Sequence, residues 1–121
     1  SYTTFEFSNL YAPPRASVAF GIDVTFEVKN TGTRVGAEVA QLYIGDPSAT
    51  VRRPLKELKG FQKVRLAPGE RRRITVHLDK RAFAYFDIET HAWRVDPGQF
   101  IIYVGNSSEH TPLARTIAVQ P

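Results

Sequence analysis

The chain has 121 residues, so a single domain spanning residues 1–121 is expected, with one core burying roughly 65% of the surface the unfolded chain exposes. It has no cysteine, only three widely spaced histidines (His77, His91, His110) and no run of 18 apolar residues. Those absences exclude a disulfide framework, a thiol nucleophile, HExxH-type or Cys-ligated metal chemistry and a membrane-crossing helix. The net charge of +4 is local: between Arg52 and Arg73 nine bases stand against two acids, with Phe61 the one aromatic among them. Nucleic-acid faces usually interleave bases with aromatic rings, so this stretch reads as a solvated or docking edge, with neither nucleic acid nor membrane as partner.

The first candidate strand, Thr3–Leu10, is cut off from the next by Pro13-Pro14. In Ile22-Asp23-Val24-Thr25-Phe26-Glu27-Val28-Lys29 the apolar residues take every even place, the pattern of a strand with one buried and one wet face. Asn30-Thr31-Gly32 ends that strand with residues that tolerate positive φ. Val39–Ile44 carries apolar or aromatic residues on both parities and reads as a central strand covered on both faces. Pro47 and Pro54 bracket a loop, Leu58–Leu66 forms the next strand and Pro68-Gly69 the next turn. Ile74, Val76 and Leu78 then point inward, which leaves His77 on the solvent side. Asp79 is the candidate cap of a short helical turn within 79–85, and a less regular stretch runs from Phe83 to Val95. After Pro97-Gly98, Phe100–Val104 is again two-sided, and Leu113–Val119 closes the chain. No segment has a sustained helical period. Seven to eight short strands with frequent turns predict an all-β, antiparallel sandwich.

The residues offer little chemistry of their own. Asp87 and Glu89 form the nearest carboxylate pair outside the clean strands, with nothing beside them to desolvate one and raise its pKa for acid catalysis. GxSxG, phosphate-cradling and EF-hand patterns are absent, and no cofactor is expected. Asn106-Ser107-Ser108 matches a glycosylation sequon, a short match that arises readily by chance. Trp93 is the only tryptophan; the density of Phe83, Tyr85, Phe86 and Trp93 predicts a local hydrophobic knot with Trp93 as core or half-core. The other reading makes Trp93 a sugar-stacking ring, with Tyr85 and Tyr11 as helpers.

Several spaced motifs together resemble a known family. Ser1-Tyr2-Thr3-Thr4-Phe5-Glu6-Phe7-Ser8-Asn9-Leu10 is similar to the opening of the fibronectin type III-like domain that closes many family 3 glycoside hydrolases, the β-glucosidases and β-xylosidases. Val28-Lys29-Asn30-Thr31-Gly32 and Gly36-Ala37-Glu38-Val39-Ala40-Gln41-Leu42-Tyr43-Ile44 resemble its second and third strands. Arg53-Pro54-Leu55-Lys56-Glu57-Leu58-Lys59-Gly60-Phe61 is the most specific match. Phe83-Ala84-Tyr85-Phe86-Asp87, Trp93-Arg94-Val95, Pro97-Gly98-Gln99-Phe100 and Val104-Gly105-Asn106-Ser107-Ser108 extend it over nearly the whole chain. The resemblance implies an immunoglobulin/fibronectin type III-like sandwich and a non-catalytic piece of a longer glycosidase. In the family the carboxylate nucleophile and the acid/base belong to domains that would lie upstream of Ser1. No family catalytic residue therefore maps onto a position here.

In such sandwiches the third strand and the penultimate long strand are neighbours. Ala40, Leu42, Ile44, Phe100, Ile102 and Val104 are then expected in the core, which leaves Val39, Gln41, Tyr43, Ile101 and Tyr103 on an outer face without charge. An uncharged outer patch marks a docking surface. The expected interface is Val39, Tyr43, Ile101 and Tyr103 with the neighbouring loop Arg52, Arg53, Pro54, Leu55 and Lys56, and the expected partner is the upstream catalytic domains of the same polypeptide. Self-cover by the long loop or the first strand is the alternative. A second class of function is a module that holds polysaccharide on Trp93 and Tyr85, or an acidic polymer on the Arg52–Arg73 stretch. The absence of cysteine fits the bacterial cytoplasm, the periplasm or export alike.

Overall fold

The computed structural model describes residues 3–47 and 56–121. Alternating sequence becomes alternating burial. In the strand Ile22–Asn30 the residues Ile22, Val24, Phe26 and Val28 are buried while Asp23, Thr25, Glu27 and Lys29 are not. In chain order the strands are β1 (Phe5–Tyr11), β2 (Arg15–Ser17), β3 (Ile22–Asn30), β4 (Gly36–Gly45), β5 (Glu57–Leu66), β6 (Arg71–Leu78), β7 (Tyr85–Asp87), β8 (Ala92–Arg94), β9 (Gly98–Gly105) and β10 (Leu113–Gln120). A 3-10 turn, Lys80–Phe83, follows β6 and is capped by the Asp79 carboxylate, which accepts from the Ala82 N–H.

Three sheets result: β1-β3-β6, β2-β10-β9-β4-β5 and the small hairpin β7-β8. The expected pairing of the third and penultimate long strands holds, with Leu42 opposite Val104 and Ile44 opposite Ile102. Ala40, Leu42, Ile44, Phe100, Ile102 and Val104 are all buried, and they face Val24, Phe26, Ile74 and Leu78 of the other sheet in one core. Phe83 from the 3-10 turn seals one end, its ring edge-on to Phe100 at 5.3 Å.

Three features depart from expectation. Among the described residues there are ten strands rather than seven or eight, because β2, β7 and β8 are only three residues each, too short for a two-residue period to register. β2 adds to β10 in parallel, with Ala16 opposite Val119, so the sandwich is not wholly antiparallel. Asn30 and Gly32 do not adopt positive φ; the residues that do are Asn9, Gly21, Gly69, His91 and Gly98. Asn30 instead ends β3 as a buried hydrogen-bonding side chain, and Gly32 is required because a Cβ there would overlap the Thr3 hydroxyl.

Candidate functional site

The two sheets turn very different faces outward. On the five-stranded sheet the register places Val39 opposite Lys63, Gln41 opposite Phe61, and Tyr43 between Leu58 and Tyr103; Ile101 lies one pleat further along β9 and pairs with Thr116. Val39, Gln41, Ile101 and Tyr103 are half-buried, while Tyr43 is only 9% exposed, packed among these neighbours with its hydroxyl donating to Gln41 Oε1. The face therefore extends onto β5 through two large residues, Phe61 at 70% exposure and Leu58 at 49%.

Those two are three apart in sequence and still share a face. A bulge in the β4–β5 ladder sets Gly60 opposite Leu42 and Leu58 opposite Tyr43, which adds one unpaired residue, Lys59. Bulges of this kind break the strict alternation from which a sequence reading assigns faces. Below the bulge, Gly60 turns inward to where a Cβ would meet Val76 Cγ1 at 2.7 Å.

Lys56 lies at the corner of this face, half-buried, its ammonium 4.3 Å from the centre of the Tyr103 ring. It donates to Thr111 Oγ1 at 2.9 Å and to the Ser108 carbonyl at 3.2 Å. Part of the surface is thus covered by the chain's own Lys56. The first strand covers none of it, because β1 belongs to the other sheet. Arg52, Arg53, Pro54 and Leu55 lie outside the described residues.

The three-stranded sheet shows water a polar ladder. Glu27 accepts from Asn9 Nδ2 at 2.7 Å and from Arg71 at 3.3 Å, Arg73 pairs across from Glu27, and Asp23 meets His77 Nδ1 at 2.8 Å. His77 is exposed, as its place in the alternation predicts.

Around β7 and β8 the expected knot is looser than the sequence suggests. Phe83 is fully buried, but Phe86 is 45% and Trp93 49% exposed, their rings edge-on at 5.5 Å. Half of Trp93 stays exposed although the Arg81 guanidinium lies 3.6 Å over its ring, so it is a surface residue and not core. Tyr85 is half-buried, and burial together with a hydrogen bond to Asp96 raises its phenol pKa. Its hydroxyl is thereby committed inside the domain. Asp87 accepts from the Glu89 N–H at 2.9 Å and from Arg94 at 3.3 Å. These bonds, the backbone N–H first, hold its carboxyl below the usual range, the opposite of what a general acid needs. Among the described residues no three of His, Cys, Asp and Glu gather as a metal site, and no helix is long and apolar enough to cross a membrane.

The family model described as "Fibronectin type III-like domain" matches residues 38–108. The chain belongs to the fibronectin type III-like family. Similar proteins include the thermostable β-glucosidase B of Acetivibrio thermocellus, 45% identical over 120 residues, and a β-glucosidase of Bacteroides ovatus, 43% identical over 109. Those alignments cover 98% and 89% of this chain but only 16% and 15% of the two relatives. Among solved structures, a Listeria innocua β-glucosidase in complex with glucose superposes with a TM-score of 0.91 at 32% identity, over 99% of this chain and 16% of that one. A GH3 β-glucosidase of Bifidobacterium adolescentis gives 0.91 at 36% identity, over 98% and 17%. This fibronectin type III-like domain thus corresponds to a small segment of much larger β-glucosidases, consistent with an accessory part in them.

The fibronectin type III-like domain brings Val39, Tyr43, Ile101 and Tyr103 together on one face, with Lys56 laid across it. Sequence reasoning missed Leu58 and Phe61, its large exposed apolar members. A run such as Leu58-Lys59-Gly60-Phe61, with a glycine between two large apolar residues, is the available signal for a bulge.

Proposed function

We propose that this domain is a non-catalytic accessory block of a family 3 β-glucosidase-type glycoside hydrolase, and that the outer face of its five-stranded sheet packs on the catalytic domains of the same polypeptide. The single observation that carries the reading is the contrast between the two outer faces. One is a ladder of ion pairs and hydroxyls; the other carries Phe61 and Leu58 exposed beside Val39, Tyr43, Ile101 and Tyr103. Exposed contiguous apolar surface on one side of a sandwich is a cost that burial against a neighbour removes, at about 25 cal/mol per Å2. The small share of each relative that this chain spans leaves ample protein for it to pack on.

In this reading the domain contributes buried interface and slows unfolding of the catalytic body; it supplies no reacting group. Tyr43 is too buried to serve as the test site, since a charge there would disturb the domain itself. Phe61→Glu is the discriminating change. In the isolated domain it should leave the thermal midpoint within about a degree or two, as surface substitutions do. In the full-length enzyme it should lower the midpoint and shorten the half-life of activity at elevated temperature. Equal behaviour of variant and parent in the full-length enzyme would remove this face as an interface.

A further inference from the structure

A pocket of about 480 Å3 opens beside the Ala19-Phe20 turn that follows β2, at the edge of the five-stranded sheet opposite β5. Its size lies within the roughly 300–1,000 Å3 of small-molecule sites. Phe20, Trp93 and Val95 give it apolar lining, and Asp79, Lys80 and Arg81 bring charge of both signs. Phe20 is 95% exposed, and so contributes nothing to the core. Trp93 remains half exposed even with the Arg81 guanidinium 3.6 Å from its ring centre. The stacking fixes the guanidinium in place while its N–H donors have no protein acceptor among the described residues. The Lys80 ammonium has none either. One Asp79 oxygen accepts from the Ala82 N–H at 3.2 Å, and the other has no protein partner among the described residues.

These groups define the ligand. An apolar protein segment laid into the pocket would desolvate an ammonium, a guanidinium and a carboxylate without pairing them, at several kcal/mol. A polyanion would suit Lys80 and Arg81 and be repelled by Asp79. A neutral sugar answers all of them, because its hydroxyls both donate and accept while its C–H face stacks on aromatic rings. We propose that this pocket binds a neutral pyranose, with its C–H face against Phe20 and Trp93 and its hydroxyls on Asp79, Lys80 and Arg81. Tyr85, the partner the sequence suggested for Trp93, is replaced by Phe20. The proposal does not rest on the docking reading, which concerns the outer face of the sheet reaching to β5.

Trp93 is the only tryptophan, so its fluorescence reports directly on the pocket. Titrating the chain with glucose and with cellobiose should change the emission saturably, with affinities in the millimolar range typical of weak sites. Phe20→Ala, a change at an exposed residue that leaves folding intact, should weaken binding about tenfold or more, and Lys80→Ala severalfold. Phe61→Glu should leave it unchanged. The proposal is overturned if neither sugar gives a saturable change, or if Phe20→Ala responds as the parent does. It is equally overturned if only a uronic-acid polymer binds and salt abolishes that binding, which would make the site an electrostatic patch. Finally, if Phe20→Ala lowers the thermal midpoint of the full-length enzyme while sugars leave Trp93 unmoved, the pocket is a socket for protein.

Discussion

Asn30 is fully buried, and every polar atom of its amide is used. Its Nδ2 donates to the Arg34 carbonyl at 2.7 Å and the Leu66 carbonyl at 3.0 Å, while Oδ1 accepts from Thr3 Oγ1 at 2.8 Å and the Gly32 N–H at 2.9 Å. Four groups from three chain segments, Thr3, the turn after Asn30 and the end of β5, meet on that one side chain. Asn30→Ala leaves those groups unpaired and should cost about 2–4 kcal/mol, a fall of roughly 10 °C in the midpoint followed by circular dichroism. Asn30→Asp should be as damaging, because a carboxylate cannot donate to the two carbonyls. Partly buried carboxylates act more gently. The pKa of Glu70 is lowered chiefly by the Ala67 N–H, that of Glu27 by Asn9, and that of Asp87 by the Glu89 N–H. A lowered folded pKa stabilises above the ordinary value, near 4, and the contribution is lost as pH falls through the folded pKa. The midpoint should therefore hold above about pH 5 and decline below about pH 4, and Glu70→Gln should make that acid decline shallower.

At the scale of the elements, turns set the ladders. Ala67-Pro68-Gly69-Glu70 closes with the Glu70 N–H on the Ala67 carbonyl at 2.9 Å and Gly69 at φ 77°, the turn that Pro-Gly chemistry anticipates. The Glu70 carboxylate returns to the Ala67 N–H, also at 2.9 Å. Gly69→Ala has open space around it but the wrong backbone, so the expected cost is about 1–2 kcal/mol. Gly105→Ala, where β9 leaves the sheet, has no such room: its Cβ would overlap the His110 carbonyl. Urea denaturation should show it destabilised by at least about twice as much as Gly69→Ala. The proline-glycine turn was readable in advance because its chemistry is local. The need for a glycine at 105 was not, because it comes from a return of the chain five residues later.

For the whole molecule, the predictive quantity is the asymmetry between the two faces. If this more apolar face, which carries Lys56 and Lys63 beside its exposed Leu58 and Phe61, is covered in the parent enzyme, the two faces should respond oppositely to added negative charge. Phe61→Glu should destabilise the full-length enzyme and spare the isolated domain. Thr75→Glu, on the exposed ladder of β6, should be nearly silent in both, within about 0.5 kcal/mol. Differential scanning calorimetry of the four proteins measures this directly.

The sequence by itself determined the sandwich, the inward residues of β3, β4, β6 and β9, the Pro68-Gly69 turn and the cap at Asp79, because each depends on neighbours within a few positions. It also carried the family, through motifs spread along the chain. Only the tertiary structure decided that Leu58 and Phe61 share a face with Tyr43, that Lys56 closes over Tyr103, and that Phe20 lines the same pocket as Trp93. Those are contacts between segments far apart in the chain. One extra residue in a ladder, or the edge to which a three-residue strand is added, reassigns such side chains, and no local pattern encodes either choice.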